Sequence, residues 1–178
     1  LTCLTEEKLK DMIHGGIRQY ELKFIKEIND IFIGYDLLRY CTKIELIPST
    51  EYEDCNLSYD MKLDPGRFEL SVRIRRNQYL RYKDFTIRTR SQNGHPCEYD
   101  KLIEGKGQTY FYAWMSPDET ELADWIIVDI NKIRTHLHEG ADRTNPDGTM
   151  FKAYTIPWID SHSGIISNRD AILLPWEK

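Results

Sequence analysis

ELSVRIRRNQYLRYKDFTIRTR, residues 69–90, carries six arginines and a lysine in a chain whose formal net charge is −5. In extended backbone, alternate side chains leave on opposite faces. In the first half, Leu70, Val72 and Ile74 point one way and Glu69, Ser71, Arg73 and Arg75 the other. In the second, Phe85 and Ile87 oppose Asp84, Thr86, Arg88 and Arg90. Both halves read as strands with one apolar face, and the intervening NQYLRYK is long enough to reverse the chain. Paired as a hairpin, they bring Arg73, Arg75, Arg88 and Arg90 onto one polar face, with Glu69 and Asp84 beside them. Four guanidinium groups then outnumber the carboxylates, and like charges stand opposed at a cost that an anionic partner removes. A solvated face laced with exposed ion pairs, each contributing about 0–1 kcal/mol, is the competing explanation. Arginine, with its planar fork of donors, is the residue suited to bidentate contact with phosphate.

Outward from this stretch, Ile13, Ile17, Tyr20, Phe24, Ile28 and Ile31 recur at spacings of three and four. They make a helical stripe over 5–32, stopped at Gly34. Gly15-Gly16 bends that helix or divides it, because each glycine costs about 1 kcal/mol against alanine. CTKIELI (41–47) reads as a short strand, PSTEYEDCN (48–56) as an acidic loop and Asp64-Pro65-Gly66 as a turn. GHPCEYDKLIEGKG (94–107) holds a short helix ended by Gly105 or Gly107. TYFYAWM (109–115) and ADWIIVDI (123–130) are two strands joined by the turn SPDET, with WIIV doubly buried. NKIRTHLHEG is a short helix capped by Asp129 or Asn131, ADRTNPDGT a loop and FKAYTIPW a further strand. The prediction is one domain over 1–178, α/β or α+β. It has a central mixed sheet with an arginine-rich hairpin and a long N-terminal helix packed on one face.

With 178 residues, 40% hydrophobic and 30% charged, the chain suits a folded domain and not wholesale disorder. No apolar run approaches the roughly 20 residues that span a bilayer. LTCLTEEKLK lacks the basic-then-apolar order of a signal peptide. Cys3, Cys41, Cys55 and Cys97 form no CxxC pair, and a cytoplasmic or other reducing intracellular compartment without membrane contact is expected. Charge is uneven. Between Lys62 and Lys106, eleven Lys and Arg face six Asp and Glu, net +5; the remainder is net −10. Such a basic island draws phosphate even when the whole chain is acidic.

Four other groupings are set aside at this level. His136 and His138, two apart on a short helix, point roughly 200° apart, so no zinc site is expected there. Asp160-Ser161-His162-Ser163 holds hydrolase residue types, but a triad is assembled from distant positions. Gly105-Lys106-Gly107-Gln108-Thr109 lacks the phosphate-loop pattern and reads as a turn. Tyr110, Tyr112 and Trp114 share a strand face that is expected to be core or interface rather than a platform for bases.

A long helix, a hairpin bearing Asp, Glu and basic residues, a helix and the strand TYFYAW together resemble the core of PD-(D/E)XK nucleases, the restriction-endonuclease-like fold. The resemblance covers 5–130, with 131–178 as a C-terminal extension. In that family an Asp on or beside one strand and an Asp or Glu two residues before a Lys on the next hold magnesium and activate water. Hard cations take carboxylate oxygen, and the metal supplies both nucleophile and charge stabilisation. The resemblance implies Asp60, in LSYDMKL, or Glu69 for the first position. Where (D/E)xK is expected this chain has Thr86-Ile87-Arg88, with Asp84 on the same face as the substitute. EYDK adds Glu98, Asp100 and Lys101, and Glu21 lies on the first helix.

The implied set is therefore Asp60, Glu69 and Asp84 on magnesium, with Lys101 as charge stabiliser. Arg73, Arg75, Arg88 and Arg90 hold the phosphates of DNA or RNA. Without catalysis, the same residues suit an inactive nuclease-like domain that grips nucleic acid. Two other classes remain. One is a non-catalytic interaction or inhibitor protein docking its acidic surface onto a basic protein; the other is an enzyme acting on a phosphorylated metabolite.

Overall fold

Two apolar sets on opposite sides of one sheet set the architecture. The computed structural model describes residues 23–34, 45–48, 61–64, 69–90, 97–164 and 166–167. Six strands form the larger sheet. In spatial order they are β1 (Glu45–Pro48), β2 (Met61–Asp64), β3 (Glu69–Arg75), β5 (Thr109–Met115), β6 (Leu122–Asp129) and β9 (Ile166–Ser167). β3 and β5 pair in parallel and the other neighbours are antiparallel. A second, antiparallel sheet holds β4 (Asp84–Arg90), then β8 (Met150–Thr155), then β7 (Ala141–Thr144). With four helices, α1 (Ile25–Gly34), α2 (Glu98–Ile103), α3 (Ile130–Ile133) and α4 (Ile156–Ser163), the described residues make an α+β fold with a central mixed sheet. None of their helices is long and apolar enough to cross a membrane.

Phe24, just before α1, and Ile28 and Phe32 on it, each four residues from the next, pack on Leu70, Val72, Ile74, Phe111 and Trp125. The positions of the longer N-terminal helix before Lys23, including Ile13, Ile17 and Tyr20, lie outside the described residues. The opposite face of the sheet presents Tyr110, Tyr112, Trp114, Ile126 and Val128. These meet Phe85 and Ile87 of β4, Tyr154 of β8, and Leu102, Ile133 and Ile159 from the helices. β5 is buried from Tyr110 to Met115 because its two faces serve two cores. The aromatic row on β5 is accordingly core, as the sequence predicts.

The predicted hairpin over 69–90 does not form. β3 pairs with β2 and β5, whereas β4 leaves for the second sheet and pairs with β8. The reason is burial. Leu70, Val72 and Ile74 belong to the core under α1, while Phe85 and Ile87 belong to the core on the far side. One sheet face cannot serve both. The connection Asn77–Tyr82 winds into a 3-10 helix and ends at Lys83 with φ 49°, which lifts the chain from one layer to the next.

Elsewhere the local signals hold. β5 and β6 pair across SPDET, Asp129 accepts from the Asn131 N–H at 3.0 Å to cap α3, and α2 ends before Gly105 at φ 93°. Residues 141–149, read as a loop, contain β7 and a turn with Gly148 at φ 82°. FKAYTIPW is a strand only to Thr155, whose hydroxyl accepts from the Trp158 N–H and caps α4.

Gly140 precedes β7 with an ordinary φ of −59°, so its need for glycine is steric. A Cβ there would lie 2.5 Å from Cε1 and Cζ of Tyr154. That ring is 3% exposed, packs on Phe85 and Trp158, and donates its hydroxyl to the Leu137 carbonyl at 2.6 Å. Gly140→Ala is expected to cost about 1–3 kcal/mol, as overpacking does. A lower urea midpoint with an unchanged m-value checks this.

Candidate functional site

Between β3 of the larger sheet and β4 of the smaller one, a cleft of ≈ 490 Å³ opens. Arg73 and Arg75 of β3, Arg76 at its end and Arg88 of β4 line it, with Asn145 and Thr149 from the β7–β8 turn, Tyr79 and Phe151. Among the described residues its lining holds four arginines and no Asp or Glu.

Thr86 organises two of these arginines. The Arg73 guanidinium donates to the Thr86 carbonyl at 3.1 Å. Arg75 donates to the Thr86 and Tyr112 hydroxyls, each at 2.9 Å, and lies over the Tyr79 ring at 4.2 Å. Glu98, at the start of α2, pairs with Arg73 at 3.2 Å, accepts from the Arg88 backbone N–H at 3.1 Å and accepts from the Tyr110 hydroxyl. A carboxylate with three donors is a fixed anchor, and it ties β3, β4 and β5 to the start of α2. Arg76 pairs with Glu119 at 3.6 Å in an exposed contact.

Convergence of arginines therefore survives the loss of the hairpin, with a changed membership. Arg73, Arg75 and Arg88 meet because two sheets face each other rather than because two strands pair. Arg90, exposed on β4 beyond a register shift, does not line the cleft. Arg76, Asn145 and Thr149 do, and the sequence reading missed them. The run RIRR is the one local sign of Arg76. Nothing local marks Asn145 and Thr149, since the β7–β8 turn reaches the cleft only through the pairing of β8 with β4.

Of the expected magnesium ligands, Asp60 and the Glu69 side chain lie outside the described residues. Lys101 sits on α2, away from the cleft lining. Glu98 is spent on Arg73, and Asp100 closes the capping box of α2 by accepting from the Cys97 N–H. Asp84 is half-buried, and its Oδ1 is shut from water with no hydrogen-bond partner. Burial raises its pKa above the ordinary 3.8, against the pull of Arg75, its own backbone N–H and Arg143. Those charged neighbours are cations, surroundings that suit an anion better than a second cation.

The sign of the linkage follows. Folded Asp84 holds its proton more tightly than the unfolded chain does. Stability contributed by this group therefore falls as pH rises from 3.8 through the raised folded value, and the loss persists at neutral pH. Asp84→Asn is expected to be more stable than the parent at neutral pH, the gap closing below pH 3.8. Urea unfolding at both pH values tests it; a variant less stable at neutral pH would contradict the burial argument.

Compared with protein-family models and with curated proteins, the chain matches none.

Proposed function

We propose that the protein binds nucleic acid, seating the sugar-phosphate backbone of one strand in the cleft between its two sheets. The observation that carries this is the lining itself, in which the described residues include four arginines and no Asp or Glu. Glu98 and Glu119 reach Arg73 and Arg76 from outside the lining, and phosphate oxygens entering the cleft would be acceptors of the kind that the guanidinium fork takes bidentately. Arg73 and Arg75 are already oriented by Thr86, Glu98 and Tyr112, so little side-chain freedom is lost on binding. The volume of ≈ 490 Å³ falls in the range of small-ligand sites and suits one or two nucleotides rather than a duplex. Tyr79 and Phe151 offer rings on which a base can stack.

The catalytic form of this reading is a nuclease-like fold in which Asp84, Asp60 and Glu69 hold Mg²⁺ for phosphodiester hydrolysis, with Lys101 as charge stabiliser. The cationic surroundings of Asp84 favour the binding form.

Fluorescence polarisation with labelled single-stranded DNA and RNA, in chelator, tests the proposal. For four phosphate contacts on a single strand, log K is expected to fall with log salt at a slope of about −3. Between about 50 and about 200 mM salt, that slope means a loss of about 50-fold. The same volume accommodates a mononucleotide, so free nucleotides form a second arm. Saturable, salt-insensitive binding of a nucleotide alone would replace the strand with a phosphorylated small molecule, and no binding of either at low salt sinks both.

A further inference from the structure

His136 and Glu139 belong to a 3-10 helix, Arg134–Glu139, rather than to an α-helix. Three residues complete a 3-10 turn, so side chains at i and i+3 eclipse. His136 accordingly stands over Glu139, its Nδ1 2.9 Å from Oε1. His138 faces elsewhere and reaches the Thr135 carbonyl. The third member comes from α4: the His162 ring centroid is 5.1 Å from that of His136. The ligand atoms of His136, Glu139 and His162 all lie within 4.8 Å of one another.

We propose that His136, Glu139 and His162 form a binding site for a divalent transition metal of the zinc class, with water completing the coordination. Two imidazole nitrogens and one carboxylate oxygen form a donor set that suits zinc, whereas magnesium and calcium take oxygen alone. Bonds of about 2.0–2.2 Å around a tetrahedral centre set ligand atoms about 3.3 Å apart. The His136–Glu139 pair is near that spacing already, and the remaining atoms must close by at most about 1.5 Å. Side chains 45% and 38% exposed, as His136 and Glu139 are, have the freedom to do so.

A single residue orients two of the ligands. The Trp158 carbonyl, which only accepts, lies 2.8 Å from the His162 Nδ1. It holds the proton on that nitrogen and leaves the Nε2 lone pair for a metal. The Trp158 indole N–H donates to Glu139 Oε2 at 3.1 Å, leaving Oε1 toward His136. Its ring stacks on His162 at 4.2 Å and 22°. Carbonyl-locked imidazole and hydrogen-bonded carboxylate are the outer shell that metal ligands require. A surface His–Glu pair needs neither the second histidine nor its fixed tautomer. Occupied, the site would tie the 3-10 helix to α4, on either side of the β7–β8 hairpin.

Protein stripped with chelator and desalted is titrated with Co²⁺, then Zn²⁺. One equivalent of Co²⁺ with the intense visible absorption of a four-coordinate centre, displaced by Zn²⁺, is expected. His136→Ala, His162→Ala and Glu139→Gln should each weaken uptake by about tenfold or more, and His138→Ala should leave it unchanged. Glu139→Gln alters an exposed side chain, and an unchanged urea midpoint in chelator confirms that it folds. Absence of stoichiometric uptake, or equal loss in His138→Ala, overturns the site. None of its three residues lines the arginine cleft, so this result and that of the nucleic-acid assay are independent.

Discussion

Replacing Phe85 with alanine is expected to lower the free energy of unfolding by about 3–5 kcal/mol. Phe85 is fully buried, its ring 5.2 Å from that of Tyr110, 5.1 Å from Tyr112 and 6.1 Å from Tyr154. With Ile87, it therefore pins β4, and through it the smaller sheet, to the central one. Truncation removes both the buried area and the edge-to-face and tilted ring contacts, which add about 0.5–1.5 kcal/mol per pair. Against a typical total of about 5–15 kcal/mol, that leaves a marginal fold. Urea unfolding followed by tryptophan fluorescence reads the effect, with Phe85→Leu as the milder control. Because Thr86 holds both Arg73 and Arg75, ligand binding should weaken together with stability. A loss below about 1 kcal/mol would mean that β4 is not seated on the sheet at all.

The double variant Arg76→Glu/Arg88→Glu is expected to weaken nucleic-acid binding by about 100-fold or more near 50 mM salt, and to flatten the salt slope by about 1.4. Both residues are exposed, and the Arg76–Glu119 contact contributes about 0–1 kcal/mol, so the fold should persist. Arg75 is unsuited to this test, since its removal would take a charged donor from the buried Thr86 and Tyr112 hydroxyls and leave them their bond to each other at 3.0 Å. Arg90→Glu supplies the contrast. It changes the same charge on the same strand outside the cleft lining, and a change of about threefold or less is expected. An Arg90→Glu loss as large as that of the double variant would show that general basic charge on β4, not the cleft, does the binding.

Sequence alone determined what lies within reach of a few backbone dihedrals. Period two placed Arg73 and Arg75 opposite Leu70, Val72 and Ile74, and the structure buries the aliphatic set as that alternation requires. The β5–β6 hairpin, the Asp129 cap and the glycine stop after α2 were legible for the same reason. Tertiary structure decided which strands pair and which side chains meet. β4 deserts β3 because Phe85 and Ile87 find their apolar partners on the far face of the sheet. Arg76 joins Asn145, and His136 joins His162, across segments that no local pattern connects. A turn or a cap is set by neighbours along the chain, whereas burial is set by whatever surface the rest of the molecule offers.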